Sequence, residues 1–237
     1  EQGNALAQYN LGWMYDEGEG TPENDQEAAK WYQLSAEQGY GGAQNELGDM
    51  FYNGDGVTQN YQEAFKWYRL AADQGNYLAQ FSIGIMYDLG MGIEENNQEA
   101  ARWYELSSEQ GFPPAQYLLG DMYYYGLGVP QNYQKALELF KFAAEQAHPD
   151  AQNKLGEMFY EGKGIERNYQ KALRWYRAAA DQGLAEAQYA VGQIYDNGED
   201  VTQDNYEAFK WYKLSANQGF AKAQNELGNS YYWGSGV

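Results

Sequence analysis

The dipeptide Ala-Gln recurs at Ala7-Gln8, Ala43-Gln44, Ala79-Gln80, Ala115-Gln116, Ala151-Gln152, Ala187-Gln188 and Ala223-Gln224, always 36 residues apart. A strict period of this length, without insertions, marks one supersecondary unit stacked on copies of itself. Each copy buries its apolar face only against its neighbours. The 237 residues therefore read as one array over 1–237 and not as one or two globular domains. Its units run at about 4–39, 40–75, 76–111, 112–147, 148–183 and 184–219, with a partial unit at 220–237.

Each unit divides into two helical patterns. In the second unit Ala43, Leu47, Met50 and Phe51 stand at i, i+4, i+7 and i+8, one face of a helix from about Gly42 to Tyr52. Gly48 lies inside it, and Gly12, Gly84, Gly120, Gly156, Gly192 and Gly228 hold the equivalent place. An interior glycine costs about 1 kcal/mol relative to alanine. Its recurrence predicts a close approach by a neighbouring helix, where a Cβ has no room. A Gly-x-Gly-Val/Ile turn follows, as in Gly54-Asp55-Gly56-Val57, Gly126-Leu127-Gly128-Val129 and Gly162-Lys163-Gly164-Ile165. The glycines allow a tight reversal, and the Val or Ile is expected to plug the end of the helix pair. Unit one departs with Thr21 and unit six with Asp200.

The second helix opens on Asn24, Asn60, Asn96, Asn132, Asn168 or Asp204, all good N-caps. Glu27, Glu63, Glu99 and Glu207 three residues on predict a reciprocal capping box, which Lys135 and Lys171 break. Ala64, Trp67, Tyr68, Ala71 and Ala72 form its apolar face. Trp-Tyr recurs at Trp31-Tyr32, Trp103-Tyr104, Trp175-Tyr176 and Trp211-Tyr212, with Leu139-Phe140 as the substitute. This spacing assigns the pairs to the core and not to a carbohydrate platform. Gly39, Gly75, Gly111, Gly183 and Gly219, and Ala147 in the remaining unit, stand where a left-handed C-terminal cap belongs.

The pattern A-Q-x-x-L-G-x-x-Y-x-x-G-x-G-V followed by A-x-x-W-Y-x-x-A-A-x-x-G resembles the Sel1-like repeat over essentially the whole chain. The related tetratricopeptide repeat has a period of about 34 residues and fits less well. The resemblance implies an all-α fold, a right-handed αα-hairpin superhelix or solenoid acting as a scaffold or adaptor for other proteins. Some bacterial members brace each hairpin with a disulfide, which this chain, without cysteine, lacks.

Composition narrows the chemistry. With 15 basic and 34 acidic side chains the net charge is −19, which excludes nucleic-acid binding through a basic patch and argues against docking on anionic lipid. No apolar run approaches the roughly 20 residues of a membrane helix, so no membrane insertion is expected. The absence of cysteine excludes thiolate nucleophiles and Cys-ligated zinc, and the lone His148, at a hairpin junction, excludes a two-imidazole site. Gly54-Asp55-Gly56 lacks the Gly-Lys-Ser/Thr of a phosphate loop and reads as a turn. Asp196 to Glu207 has a faint calcium-loop spacing, but Gly198 falls on a ligand position and Val201 on the place of the required glycine. Asp16 to Glu27 repeats that spacing by periodicity alone. No catalytic residue, metal or cofactor is assigned. The segment Glu1-Gln2-Gly3-Asn4 has no leader character, and a removed signal peptide leaves the compartment open.

In related repeats the first helix lines the concave face, so a partner is expected there. Removing the core positions leaves columns two before and two after the Leu47 place, and five and six after it. The candidates are Tyr9, Trp13, Asp16, Asn45, Asp49, Tyr52, Phe81, Ile85, Asp88, Tyr117, Asp121, Tyr124, Tyr125, Glu157, Tyr160, Tyr189, Gln193 and Asp196. These columns hold aromatics, acids and amides, and no Lys or Arg. They suit a peptide or protein partner carrying Lys or Arg, bound by carboxylates and cation–π contacts. Ordinary solvated helix positions are the competing reading.

Glu1-Gln2-Gly3 aligns with Glu37-Gln38-Gly39, the tail of a second helix, and Gly234-Ser235-Gly236-Val237 follows a first helix without its partner. Ala223, Leu227 and Tyr231 are then expected to lack cover. A fragment of a longer array is one expectation. The other is self-association through the exposed ends, end to end, into an oligomer or filament.

Overall fold

The computed structural model describes residues 3–237. Glu1 and Gln2, read above as part of a second-helix tail, lie outside the described residues. Among those described there are thirteen α-helices and no strand. The first helices of the hairpins are α1 (Ala5–Asp16), α3 (Gly41–Asn53), α5 (Tyr77–Leu89), α7 (Pro113–Tyr125), α9 (Pro149–Glu161), α11 (Ala185–Asn197) and α13 (Ala221–Trp233). The second helices are α2 (Asp25–Glu37), α4 (Tyr61–Asp73), α6 (Asn97–Glu109), α8 (Tyr133–Glu145), α10 (Tyr169–Asp181) and α12 (Asn205–Asn217). The fold is the all-α hairpin array that the period predicts.

The helices form two compact units. One extends to Ala115 and includes Leu127–Pro130; the other comprises Gln116–Gly126 and Gln131–Val237. Within the first, α1 to α6 pack in chain order, each on the next, and α3 also meets α5. Within the second, α8 to α13 pack in the same order.

The centre of each hairpin is an aromatic ring laid on glycine. Tyr32, Tyr68, Tyr104, Phe140, Tyr176 and Tyr212 are all buried, as the spacing predicts. A Cβ built on Gly48 would lie 2.5 Å from Cδ1 of Tyr68, and on Gly156 2.6 Å from that of Tyr176. The close approach is therefore made by the second helix's ring. The loop glycine Gly56 (φ +65°) carries a second tight contact, since a Cβ there would lie 2.2 Å from the carbonyl oxygen of Asp25 in the preceding hairpin. The Val or Ile after it is half-buried against the core, as at Val57, Ile93 and Ile165. Ala147 takes the left-handed cap conformation at φ 64° without being glycine.

The Ala-Gln pair has a physical cause. Gln44 is 3 % exposed, and its Oε1 accepts from Nε2 of Gln74 at the end of α4, while its own Nε2 donates to the carbonyl of Ala36 in the preceding hairpin. Gln80, Gln152 and Gln188 repeat both bonds, and Gln116 accepts from Gln146, with Gln–Gln distances of 2.7–3.0 Å across these five repeats. A buried amide with both ends satisfied ties one hairpin to the one before it.

The capping expectation holds by half. Each Asn, and Asp204, accepts a backbone N–H of the first turn, but the reciprocal bond from Glu is not made. The N–H it would take already donates to a carbonyl of the first helix, as Asn60 does to Phe51 at 2.8 Å. Glu27, Glu63, Glu99 and Glu207 instead face Lys30, Lys66, Arg102 and Lys210 one turn on. Lys135 and Lys171 at that column therefore forgo no cap bond.

The two environments of the helical glycine give opposite expectations. Gly48→Ala should lower stability in urea unfolding by about 1–3 kcal/mol through overpacking against Tyr68. Gly228→Ala, with nothing within 4 Å of the added methyl, should raise it by about 0.5–1 kcal/mol.

Candidate functional site

The first-helix face is built by two alternative packings around the buried ring. In repeats one, three, four and six an aromatic stands two residues before the Leu column. Tyr9, Phe81, Tyr117 and Tyr189 lie with ring centroids 5.6–5.9 Å from Tyr32, Tyr104, Phe140 and Tyr212. Each also meets the ring just before the next first helix, Tyr40, Phe112, His148 or Phe220, at 5.1–5.4 Å. In repeats two and five that place holds Asn45 and Asn153. Tyr52 and Tyr160 then cover the hairpin from five residues after the Leu column and pack edge-on against Tyr61 and Tyr169. Repeat four uses both, with Tyr124 against Tyr133.

The acids of the face divide accordingly. Asp16, Asp88 and Asp196 accept the hydroxyls of Tyr32, Tyr104 and Tyr212 at 3.1–3.3 Å, and in repeat two Asp49 accepts that of Tyr68 at 2.6 Å. Asp121 bonds the Tyr117 hydroxyl and leaves its Oδ1 without a partner. Glu157 is held by Lys154 at 2.9 Å. Of the eighteen expected positions, Asn45 and Tyr124 are buried. Trp13 and Tyr125 are exposed, while Ile85 and Gln193 are half-buried. His148 caps α9, its Nδ1 accepting the Ala151 N–H at 3.3 Å, and burial lowers its pKa.

The columns omit lysine, but in the second unit the face carries it. Lys154, one position beyond the Asn153 column, reaches over Tyr124 and Tyr125, and Lys163 comes from the loop to the Tyr124 hydroxyl at 2.9 Å. Long side chains cross column boundaries, so a column-by-column reading missed them. Together with Lys222 they line a groove of about 840 Å³ that also holds Glu157, Glu161 and Glu186.

The first unit is different. Asp16, Glu46 and Asp49 lie on its first-helix face, and none has a cation within ion-pair distance among the described residues. Burial raises the pKa of all three; for Glu46, burial and then the Asp49 carboxylate push it up to about 7. The termini of the calcium-like spacing serve other groups, Asp196 the Tyr212 hydroxyl and Glu207 the Lys210 ammonium. Among the described residues no cluster of three or more His, Cys, Asp or Glu is placed to hold a metal, and no helix is long and apolar enough to cross a membrane.

Hairpins packed in chain order, joined by buried glutamines and presenting a first-helix face, define an α-helical repeat protein. The chain belongs to the Sel1 repeat family, whose repeat matches residues 5–40, 42–76, 78–112, 113–148, 149–184, 185–220 and 221–237. Sel1 repeats in general mediate protein–protein interactions and are non-catalytic scaffolds. Among solved structures the chain is 42% identical to a protective antigen present in uropathogenic Escherichia coli strains displaying an SLR fold, with a TM-score of 0.92 over 98% of this chain and 50% of that one. It thus spans about half the length of that protein. It is 34% identical to a Sel1 repeat protein from Oxalobacter formigenes (TM-score 0.82, 91% of this chain and 89% of that one). An immunity protein from Pseudomonas aeruginosa, 21% identical over 94% of this chain and 81% of that one, shares the fold at a TM-score of 0.52. No curated protein matches.

Glu46 makes stability depend on pH. Its carboxyl titrates at about 7 in the fold against an ordinary 4.5, so between those values the folded state holds a proton that the unfolded chain has lost. Stability therefore falls as pH rises from about 4.5 to 7 and levels off above, by on the order of 1–3 kcal/mol. Glu46→Gln should gain on the wild type in urea unfolding at pH 8 and show no gain at pH 4.

Proposed function

We propose that the chain is a non-catalytic interaction scaffold that binds a peptide or protein partner bearing Lys or Arg on the acidic, aromatic first-helix face of its first unit. The observation that carries this reading is that Asp16, Glu46 and Asp49 are partly to largely buried, that Asp16 raises the pKa of the other two, and that none has a cation within ion-pair distance among the described residues. Keeping Glu46 ionised at neutral pH costs the fold free energy, and a lysine or arginine from a partner offsets that cost. Trp13 and Tyr52 on the same face supply ring surfaces for the cation's stem and charge. With Asp49 engaged by Tyr68, Glu46 is the carboxylate with most freedom to turn to a ligand.

The test is calorimetric titration of the intact chain with a blocked peptide containing Lys and Arg, against the same peptide with Glu in their place. The basic peptide should bind, weaken with added salt, and release protons at pH 6.5 as Glu46 ionises. Glu46→Gln should weaken it about tenfold, which corresponds to about 1.4 kcal/mol. Equal binding by wild type and Glu46→Gln would remove this face from consideration.

Self-association is the second reading, supported by the exposure of Tyr231 (59 %), Tyr232 (78 %) and Trp233 (74 %) on α13. In that case the mass from light scattering should grow with concentration and return to one chain in Leu227→Glu. A constant monomer mass would rule it out.

A further inference from the structure

Of the five Trp-Tyr tryptophans, Trp31, Trp67, Trp175 and Trp211 are half-buried. Trp103 is 6 % exposed, and its indole Nε1–H has no acceptor. An indole nitrogen can only donate, and a buried donor left over in a folded chain calls for an explanation. Arg69 of the preceding hairpin covers the ring, its guanidinium carbon 4.9 Å from the ring centroid. Arg177, at the same place before Trp211, turns instead to the hydroxyl of Tyr195. The arrangement is therefore particular to α4 and α6, both in the first unit.

Arg69 and Trp103 line a pocket of about 340 Å³ on these second helices, with Ala72, Asp73, Arg102 and Leu106. Its donors are in surplus. Arg69 donates through Nε to Asp73 at 2.9 Å, and its two terminal nitrogens make no hydrogen bond. Arg102 makes none either, since Glu99 stands 3.9 Å away. The acceptors are already engaged, Oδ1 of Asp73 by Arg69 and Oε1 of Gln80 by Gln110 at 2.8 Å.

The lining selects the ligand's chemistry. Two guanidiniums against one carboxylate favour an anion. A guanidinium fork matches a planar pair of oxygens, which a carboxylate presents. The apolar remainder, Ala72, Leu106 and the indole ring, has no donor for the further oxygens of a phosphate and suits a hydrocarbon stem. The −19 charge of the chain opposes an anion at long range, but at physiological salt that field decays over about 8 Å. The groups in contact therefore decide.

We propose that this pocket binds a carboxylate borne on an apolar stem, with Arg69 and Arg102 taking its oxygens, the Trp103 N–H adding a third hydrogen bond, and Leu106 packing on the stem. Nε1 is covered, so the anion reaches it as the Arg69 guanidinium, half exposed, pivots from the ring onto the carboxylate. The C-terminal residue of a polypeptide and a free aliphatic acid share this chemistry. The pocket shares no residue with the acidic first-helix face, so either site can fail alone.

The test is titration of the whole chain, labelled with ¹⁵N at tryptophan, with N-acetyl-leucine. The Trp103 indole resonance, assigned by its loss in Trp103→Phe, should shift saturably in the millimolar range while that of Trp211 stays in place. N-acetyl-leucinamide, the same stem without the charge, should leave it unmoved. Acetate, the charge without the stem, should bind about tenfold more weakly. Arg102→Gln removes an exposed side chain that makes no hydrogen bond, so it should keep the wild-type melting temperature and weaken N-acetyl-leucine about tenfold. Tighter binding of N-acetyl-leucine than of 4-methylpentanoate would support the proposal with a polypeptide C-terminus as the source, and equal or weaker binding would support it with a free acid. The proposal is overturned by an unmoved Trp103 resonance, by equal binding of the amide, by tighter binding of inorganic phosphate, or by undiminished binding to Arg102→Gln.

Discussion

The ring that each second helix lays on the glycine of its first helix sets the distance between the two. With Cβ in place at Gly48 the Tyr68 ring could not lie where it does, and the helices would have to separate by the thickness of a methyl group. Packed cores do not deform continuously at that scale. The hairpin spacing, the register of the buried glutamines and the closeness of the loop glycine to the preceding hairpin all follow from this one contact. The recurrent interior glycine, a local defect by helix propensity, is thus a requirement of tertiary packing.

With the spacing fixed, each hairpin must still cover the exposed edge of its ring and satisfy its hydroxyl. An aromatic before the Leu column leaves room for an aspartate five residues after it, and that aspartate takes the hydroxyl. A tyrosine in the later place covers the ring from the other side and displaces the aspartate, so the acceptor must come from elsewhere. Asp49 supplies it in repeat two. In repeat five Glu157 is committed to Lys154, and no carboxylate of the hairpin takes the hydroxyl. Differences in function between repeats of one period arise here, in residual polarity and charge, because the apolar core is nearly the same in every copy.

Electrostatics follows the same division. A chain of net charge −19 spreads most of its carboxylates over solvated helix surfaces, where they form exposed i,i+3 and i,i+4 pairs worth little. On the first-helix face several are half-buried, and burial raises their pKa. Some of that cost is recovered from tyrosine hydroxyls, as at Asp16 and Asp49; Glu46 recovers it only from a neutral neighbour, Asn45.

The sequence alone determined the period, the two helices of each unit, their asparagine caps and the buried second-helix aromatics. Each is a local or strictly repeating property, so one copy informs all the others. It also held a signal that went unread: an aromatic at the Tyr9 place always comes with a ring just before the next first helix, as in Tyr9 with Tyr40 and Phe81 with Phe112. Only the tertiary structure decided that the capping glutamates turn to a lysine or arginine one turn on, since the N–H they would take is claimed by the first helix. It also decided that Asp16, Asp49, Asp88 and Asp196 serve the hydroxyls of buried rings, that Lys154 and Lys163 reach the face, and that Oδ1 of Asn45 and of Asn153 is left without a partner. Those outcomes depend on which group, across a hairpin or from the next repeat, arrives within about 3 Å of another, a distance that residue spacing along the chain does not encode.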